Sequence, residues 1–478
     1  MQRDPTQRPH QDLAHCLWFD GIEPALLARP SLDGDLQTDI AIVGAGFTGL
    51  WTALFLAQHA PSLKITLFEA HHVGFGASGR NGGWLMGSLE GMTPMLARCT
   101  AAQKLQALAQ LRSLVNEVKA TLVAEDIKCD LAHGGAVLGA ARFQEQAVRA
   151  RDALKELHQL GFDDQDYNWL SGEESYARVA AAGSCGGIYT PHVATLNPAK
   201  LVTGLARAAE RRGVVIYENS PVTDIESGKL RTAQGDVLAK HIVIATEGFT
   251  QSIPQLERRL LPVQSGMVAT EPLPAALWAQ LGFQQREAFS DFSRISTYLQ
   301  RTADDRLIIG ARGSYKFGGK VVSQFSNNDA DFRRRAQLKD LLFPILKHSK
   351  LTHTWGGTLA VPRGFSPHIV VDEASGMSTA GGYLGEGVGA SYLFGKTLAT
   401  IIINGASEEA FHGPWVKYGT LAAQLKPWEP EPLPWLGFNA TMTSYGLEEW
   451  AHSQNQHPSI KKLTTWLANT VDAVVQNS

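Results

Sequence analysis

Cysteine is scarce in this chain: Cys16, Cys99, Cys129 and Cys185 are the only four in 478 residues, and no two form a CxxC pair or stand at metal-ligand spacing. That excludes a disulfide framework and a zinc site as organising features, and the four read as reduced thiols. The 15 histidines make no HxxxH pair, so none is assigned to a metal. No run of about 20 apolar residues occurs, so no membrane-spanning helix is expected. The N-terminal text MQRDPTQRPHQDLAHC lacks the apolar core of a signal peptide. An excess of one charge is missing too: a net charge of −3 gives no long-range attraction toward nucleic acid or an anionic membrane. There is no internal repeat or low-complexity tract. The expectation is a cytoplasmic protein whose partner is a small molecule.

What is present is an ordinary globular composition, 44% hydrophobic and 19% charged, in a chain too long for one small core. The first structured unit reads strand (Asp39 to Val43), glycine turn, helix (Phe47 to His59), strand (Lys64 to Glu69), the opening βαβ of a dinucleotide-binding fold. In IVGAGFTG, Gly44 permits the turn, Gly46 lets the backbone approach a pyrophosphate, and Gly49 lets the helix press on the sheet with its N-terminus toward the phosphates. Glu69 ends the second strand, where a carboxylate accepts hydrogen bonds from an unphosphorylated ribose. These features suit NAD and FAD equally.

Later motifs separate the two. GFGASGRNGGW (Gly74 to Trp84) supplies small residues and backbone N–H groups for a second phosphate or a ribityl chain, which an NAD enzyme does not need. The buried strand in HIVIATEGFT ends at Ala245, Thr246 and Gly248, small residues suited to lie against a cofactor. In AGGYLGEGVGASYLFGKTLATIII, Gly385, Gly387 and Gly389 lead into an apolar helix whose N-terminus would stabilise negative charge on a reduced flavin. Residues 100 to 160 read as a helical excursion, and LNPAKLVTGLARAAERR as a helix with Asn197 as cap, Pro198 in the first turn and Gly213 at the end. Strand-like text and a charged helix (DFRRRAQLKDLLF) fill 266 to 350. The tail carries KPWEPEPLPW and helices near Leu447 to Asn455 and Ile460 to Val475.

Taken in order, IVGAGFTG, Glu69, GFGASGRNGG, IATEG and GYLGEGVG resemble the glycine oxidase and D-amino-acid oxidase superfamily of FAD enzymes, most closely its gamma-glutamylputrescine oxidase-like branch, over about residues 15 to 410. The resemblance implies a Rossmann-like α/β FAD-binding domain (36–105, 185–265 and 351–414) interleaved with an α+β substrate domain dominated by a β-sheet (106–184 and 266–350). An N-terminal arm (1–35) and a C-terminal helical tail (415–478) flank them. It implies FAD contacts from Gly44, Gly46, Gly49, Glu69, Ser78, Arg80, Asn81, Gly82, Val222, Thr246, Gly385 and Val388. The same loops extend the expected set to Phe47, Thr48, Ala70, Gly76, Ala77, Gly83, Ala245, Gly248, Gly357, Glu386 and Gly387. Relatives with covalent flavin attach it through a late cysteine or a histidine near the second motif; neither stands here, so non-covalent FAD is expected. Where many relatives carry Gly-His-Gly, this chain has Gly385-Glu386-Gly387. The lysine that sarcosine oxidase-like relatives use with oxygen is absent from Arg306 to Gly310, so oxygen or another electron acceptor both stay open.

For the substrate pocket the expected residues are Tyr298, Trp355, Glu386, Tyr392 and Arg312. Tyr298 and Trp355 read either as core aromatics or as rigid walls for an alkylamine. Arg312 reads as a surface ion pair or as a clamp on a substrate carboxylate. Glu386 reads as a solvated loop carboxylate or as the partner of a substrate cation. The expected reaction is hydride removal from the carbon beside an amine nitrogen, giving an imine that hydrolyses, on gamma-glutamylputrescine or a related amine. An amino-acid oxidase or dehydrogenase and a non-catalytic flavin-binding protein are the alternatives.

Overall fold

A computed structural model of the protein describes residues 15–22, 29–322, 330–405 and 411–477. Most of the expected N-terminal arm, residues 1–14 and 23–28, lies outside the described residues.

Strand Leu36–Val43 pairs in parallel with Ile65–Phe68 on one side and Asp236–Ile244 on the other, and its second half is apolar because both faces are covered. Helix Phe47–His59 follows the glycine turn and is buried at every residue from Phe47 to Ala57. Such uniform apolarity, instead of a stripe, is what a helix covered on all sides requires. It lies between the sheet and helix Gly387–Asn404. The two helices touch at Gly395, where a Cβ would come within 2.9 Å of the Thr52 backbone nitrogen.

The first sheet has nine strands among the described residues. From one edge the order is Val416–Tyr418, His368–Asp372, Met377–Gly381, Asp236–Ile244, Leu36–Val43, Ile65–Phe68 and Val215–Tyr217, with Val222–Glu226 and Lys229–Thr232 extending from Asp236–Ile244. The second sheet has eight, ordered Leu351–Pro362, Leu260–Thr270, Leu307–Arg312, Thr297–Arg301, Ala288–Asp291, Ala136–Ala140, Gly186–Thr190 and Asn168–Leu170. Its strands alternate between two cores: Val268 and Ile309 join Trp278, Phe283 and Phe343, while Met267 and Ile308 join Trp18 and Trp355. The chain is thus α/β with a parallel-rich nucleotide-binding sheet and a second, mainly antiparallel one.

Two strands join a different sheet from the one their segments were expected to join. Gly186–Thr190 pairs with Ala136–Ala140, and Leu351–Pro362 pairs along most of its length with Leu260–Thr270. Both pairings link segments far apart in sequence, which local punctuation does not reveal. The tail also differs from expectation. Helix Leu433–Ser453 begins inside the Trp-Pro-rich text, with Pro434 in its first turn where a missing N–H costs nothing, and packs on helix Pro458–Asn477. The pair is tied to the second sheet by buried Glu448, which meets Arg149 at 2.7 Å and also Arg294, and by Asp472, which meets Arg294 at 3.0 Å. Among the described residues no helix is long and apolar enough to cross a membrane, and no group of three or more His, Cys, Asp or Glu is arranged to hold a metal.

Candidate active site

The nucleotide end is built by backbone approach. Gly44 has φ +103°, and a Cβ there would lie 2.6 Å from the Ala245 carbonyl oxygen, so the ends of the first and third motifs press together only because this residue is glycine. At Gly49 a Cβ would fall 2.1 Å from the Gly44 carbonyl oxygen. Glu69 accepts from Ala45 N–H at 2.9 Å through Oε2 and from His71 N–H at 3.0 Å through Oε1; burial pushes its carboxyl up while these two donors pull it down. Ser220 N–H donates to the Glu69 carbonyl at 2.8 Å, which brings the segment leading into Val222 beside the same turn. Ala70 is exposed next to Glu69.

The second motif is braced from several directions. Ser78 Oγ accepts from Phe47 N–H at 2.8 Å, joining this loop to the first helix. Asn81 spends its side chain on its own loop, donating to the Ala77 and Ser78 carbonyls and accepting from Gly83 N–H at 2.7 Å. Trp18 Nε1–H donates to the Asn81 carbonyl at 2.8 Å, and the Tyr298 ring packs against Gly82 and Gly310, where a Cβ would fall 2.7 and 1.8 Å from it. Gly76 abuts Phe249, Gly248 abuts Thr358, and Thr246 shares a hydroxyl hydrogen bond with Thr250 at 2.8 Å.

A cavity of about 320 Å³ opens where these loops meet the second sheet. Of the expected residues, Gly46, Phe47, Thr48, Ala77, Ser78, Arg80, Asn81, Gly82, Ala245, Gly357, Gly385, Glu386, Gly387 and Val388 line it, and so do Tyr298 and Arg312. Two expected pocket residues do not. Trp355 is buried behind the second motif, donating from Nε1 to the Arg80 carbonyl at 3.0 Å and meeting Trp18 edge to face. Tyr392 sits one turn beyond Val388, inside the core, with its ring against Trp51 and Phe55 and its hydroxyl 3.1 Å from Thr121 Oγ1. Both are structural aromatics. Gly44, Gly49, Glu69, Ala70, Gly76, Gly83, Val222, Thr246 and Gly248 lie outside this cavity, toward the nucleotide end or behind its loops.

Two carboxylates that sequence reasoning passed over belong to the site. Glu247 stands between Thr246 and Gly248 with φ +44°, and its carboxylate accepts from the backbone N–H groups of Gly382 (2.8 Å), Tyr383 (3.3 Å) and Ala360 (3.3 Å). It staples the loop before Gly385 to the second sheet. Burial outweighs these three donors and lifts its carboxyl to about 7. Glu90 lines the cavity with Glu386 and Arg312. Burial and the charge of Glu90 push Glu386 up to about 8, while Arg312, the Glu90 backbone and the Ser88 hydroxyl pull the other way. A site with two close carboxylates and one guanidinium thus favours holding a proton when no cation is at hand.

The residues fit a flavin nucleotide. The helices starting at Phe47 and Gly387 have no side-chain cap at Gly46 or Glu386, and the first turns of both line the cavity, so apart from the Phe47 N–H, which Ser78 takes, their first-turn N–H groups are available to phosphate and to the electron-rich edge of a ring system. Met267, Leu359, Leu384 and Val388 supply apolar walls. The described lining contains no cysteine, histidine or lysine.

The family described as DAO, FAD dependent oxidoreductase, matches residues 39–401. The gamma-glutamylputrescine oxidoreductase of Escherichia coli is 27% identical over 380 residues, covering 78% of this chain and 85% of that protein. The probable oxidoreductase OrdL of Haemophilus influenzae is 27% identical over 387 residues, with the same two coverages. The crystal structure of glycine oxidase from Geobacillus kaustophilus superposes with a TM-score of 0.65 at 20% identity, covering 83% of this chain and all of that one. The chain belongs to the DAO family of FAD-dependent oxidoreductases and is an amine oxidoreductase.

Proposed function

We propose that the substrate is an amine whose far end is a zwitterionic amino-acid head, with gamma-glutamylputrescine as the best candidate, and that the FAD is held without a covalent bond. The observation that carries this reading is the grouping of Glu90, Glu386 and Arg312 on one cavity lining. Two carboxylates and a guanidinium complement an ammonium and a carboxylate on one carbon, and the guanidinium fork suits the carboxylate. The 27% identity to an oxidoreductase of that name agrees with it.

In this reading the apolar walls from Met267, Leu359 and Leu384 strip water from the reacting amine and lower its pKa, which frees the nitrogen lone pair. FAD, when bound, supplies a hydride acceptor. Tyr298, held by a 2.5 Å hydrogen bond to Ser265, forms a rigid wall, and the charged head-group residues fix how far the amine end reaches. No side-chain base is needed to take a proton from carbon, because the lone pair forms the C=N bond as hydride leaves. Water then hydrolyses the imine.

The test is anaerobic bleaching of the flavin spectrum by gamma-glutamylputrescine, putrescine, N-acetylputrescine and a panel of amino acids. Bleaching fastest with gamma-glutamylputrescine supports the reading. Bleaching by α-amino acids alone would replace it with amino-acid oxidation, with Arg312 on the carboxylate. Admitting air to the bleached sample then shows whether oxygen is the acceptor. Acid precipitation that leaves the flavin in solution supports dissociable FAD.

A further inference from the structure

A second cavity, larger than the first at about 570 Å³, opens at the edge of the nucleotide-binding sheet. Its described lining contains no aspartate or glutamate but includes Arg98, Arg259, Arg363, Lys417, Lys426 and His368. Arg363, 8% exposed, is fixed by Glu429 at 3.1 Å and stacks on Trp428; Arg259 donates to the carbonyls of Ala422 and Leu425. Arg98, Lys417 and Lys426 make no ion pair with any described residue. His368 is 1% exposed, and its Nε2 has no hydrogen-bond partner. Burial, followed by the charges of Arg98 and Lys426, lowers Lys417, and burial together with Lys417 takes His368 down to about 3.

Like charges gathered in a partly enclosed space repel one another, and with Glu429 committed to Arg363 the repulsion among Arg98, Arg259, Lys417 and Lys426 would be relieved by an anion from outside. We infer that this cavity is a binding site for a small phosphate-bearing anion carrying at least two negative charges. The charge count decides the class: with Arg363 already paired to Glu429, four cations remain, so a monocarboxylate would leave most of them uncompensated, whereas a diphosphate or a nucleotide matches them, and the guanidinium fork of Arg98 suits phosphate oxygens. The site is separate from the nucleotide end at Gly44 and Glu69, and its existence does not depend on the identity of the amine substrate. It does abut the catalytic loop. A Cβ on Gly382 would lie 2.9 Å from His368 Cε1 and 3.0 Å from Pro362, and Gly382 is one of the residues Glu247 holds in place beside the active cavity. A ligand at His368 is thereby one residue contact away from the loop that leads to Gly385.

The experiment is calorimetric titration of the FAD-loaded enzyme with inorganic pyrophosphate and with tripolyphosphate, at constant ionic strength against sodium sulfate. Flavin absorbance is followed throughout, so that displacement of FAD is not mistaken for binding at a second site. One saturable site per chain is expected without FAD release, weakened at least tenfold in Arg98→Gln and Lys417→Gln and unchanged in Lys347→Gln, an exposed lysine elsewhere. Arg98 is exposed, so its variant tests the idea even if Lys417→Gln folds poorly. No saturable heat, equal binding of sulfate, release of FAD in step with binding, or indifference to Arg98→Gln would each overturn the proposal.

Discussion

Replacing Glu386 by Gln tests the substrate end of the site most directly. Free carboxyls of this kind lose their proton near 4.5, whereas burial and the neighbouring Glu90 hold Glu386 protonated to about 8. At about 1.4 kcal/mol per factor of ten, this preference for the neutral acid is on the order of 5 kcal/mol, less wherever water reaches the cavity. The carboxyl is then mostly neutral at pH 7 and gains its charge as the pH rises, so the fraction able to hold an ammonium increases several-fold between pH 7 and 8.5. The assay compares gamma-glutamylputrescine with glutarylputrescine, which lacks only the α-ammonium. Taking the ratio of their kcat/KM values cancels the titration of the shared reacting amine, and kcat/KM reports the free enzyme. The ratio is expected to climb several-fold between pH 7 and 8.5 in the wild type and to stay flat in Glu386→Gln. The same climb in the variant, or none in either protein, would refute the reasoning. Stability moves the opposite way: a carboxyl raised in the folded state stabilises fully below about 4.5 and loses that contribution as pH rises through about 8. The melting temperature of Glu386→Gln should therefore fall less than that of the wild type across this window.

Three further outcomes follow from the packing. Trp355→Phe removes the donor to the buried Arg80 carbonyl and is expected to cost about 1–3 kcal/mol in a denaturant melt, with faster FAD loss, while the kcat of protein that retains FAD stays near wild type. Gly49→Ala drives a Cβ to 2.1 Å from the Gly44 carbonyl and should leave purified protein with little bound flavin; a wild-type flavin-to-protein ratio would contradict the close-approach argument. Glu448→Gln leaves Arg149 and Arg294 without their buried carboxylate and should cost about 3–5 kcal/mol, seen as earlier proteolysis within 433–477; unchanged protease resistance would mean the tail is held by its apolar contacts instead.

The nucleotide half was legible because its signals are local. The helix Phe47–His59 has the bounds its pattern predicts, and Gly44, Gly46 and Gly49 do their work within six residues of one another. Glu247 was missed although it lies inside the quoted IATEG text, because its meaning comes from amides at 360, 382 and 383. Trp355 was expected in the pocket as an aromatic on a segment facing the flavin; Gly357 and Leu359 on the same strand do line the cavity, but two residues earlier the strand passes under the Arg80 loop, and the ring packs there instead. Tyr392 shares a helix face with Val388 but stands one turn, about 6 Å, farther along the axis, which is enough to carry it from cavity to core. In both cases the limit of the cavity along the element, which only tertiary contacts set, was not readable.

The two ends of the site therefore rest on different physics. Cofactor recognition relies on backbone amides and helix ends, whose positions are dictated by where a side chain is forbidden, so a glycine pattern records it in order along the chain. In the proposed reading, substrate recognition relies on Glu90, Arg312 and Glu386, which come from three separate segments: the loop after Trp84–Met86, the end of Leu307–Arg312 in the second sheet, and the turn before helix Gly387–Asn404. None of the three is needed to hold the glycine loops, and Glu386 does not cap its own helix. On the proposed reading, this cluster is where one fold and one cofactor would be turned toward different amines while the glycine loops keep the flavin cradle.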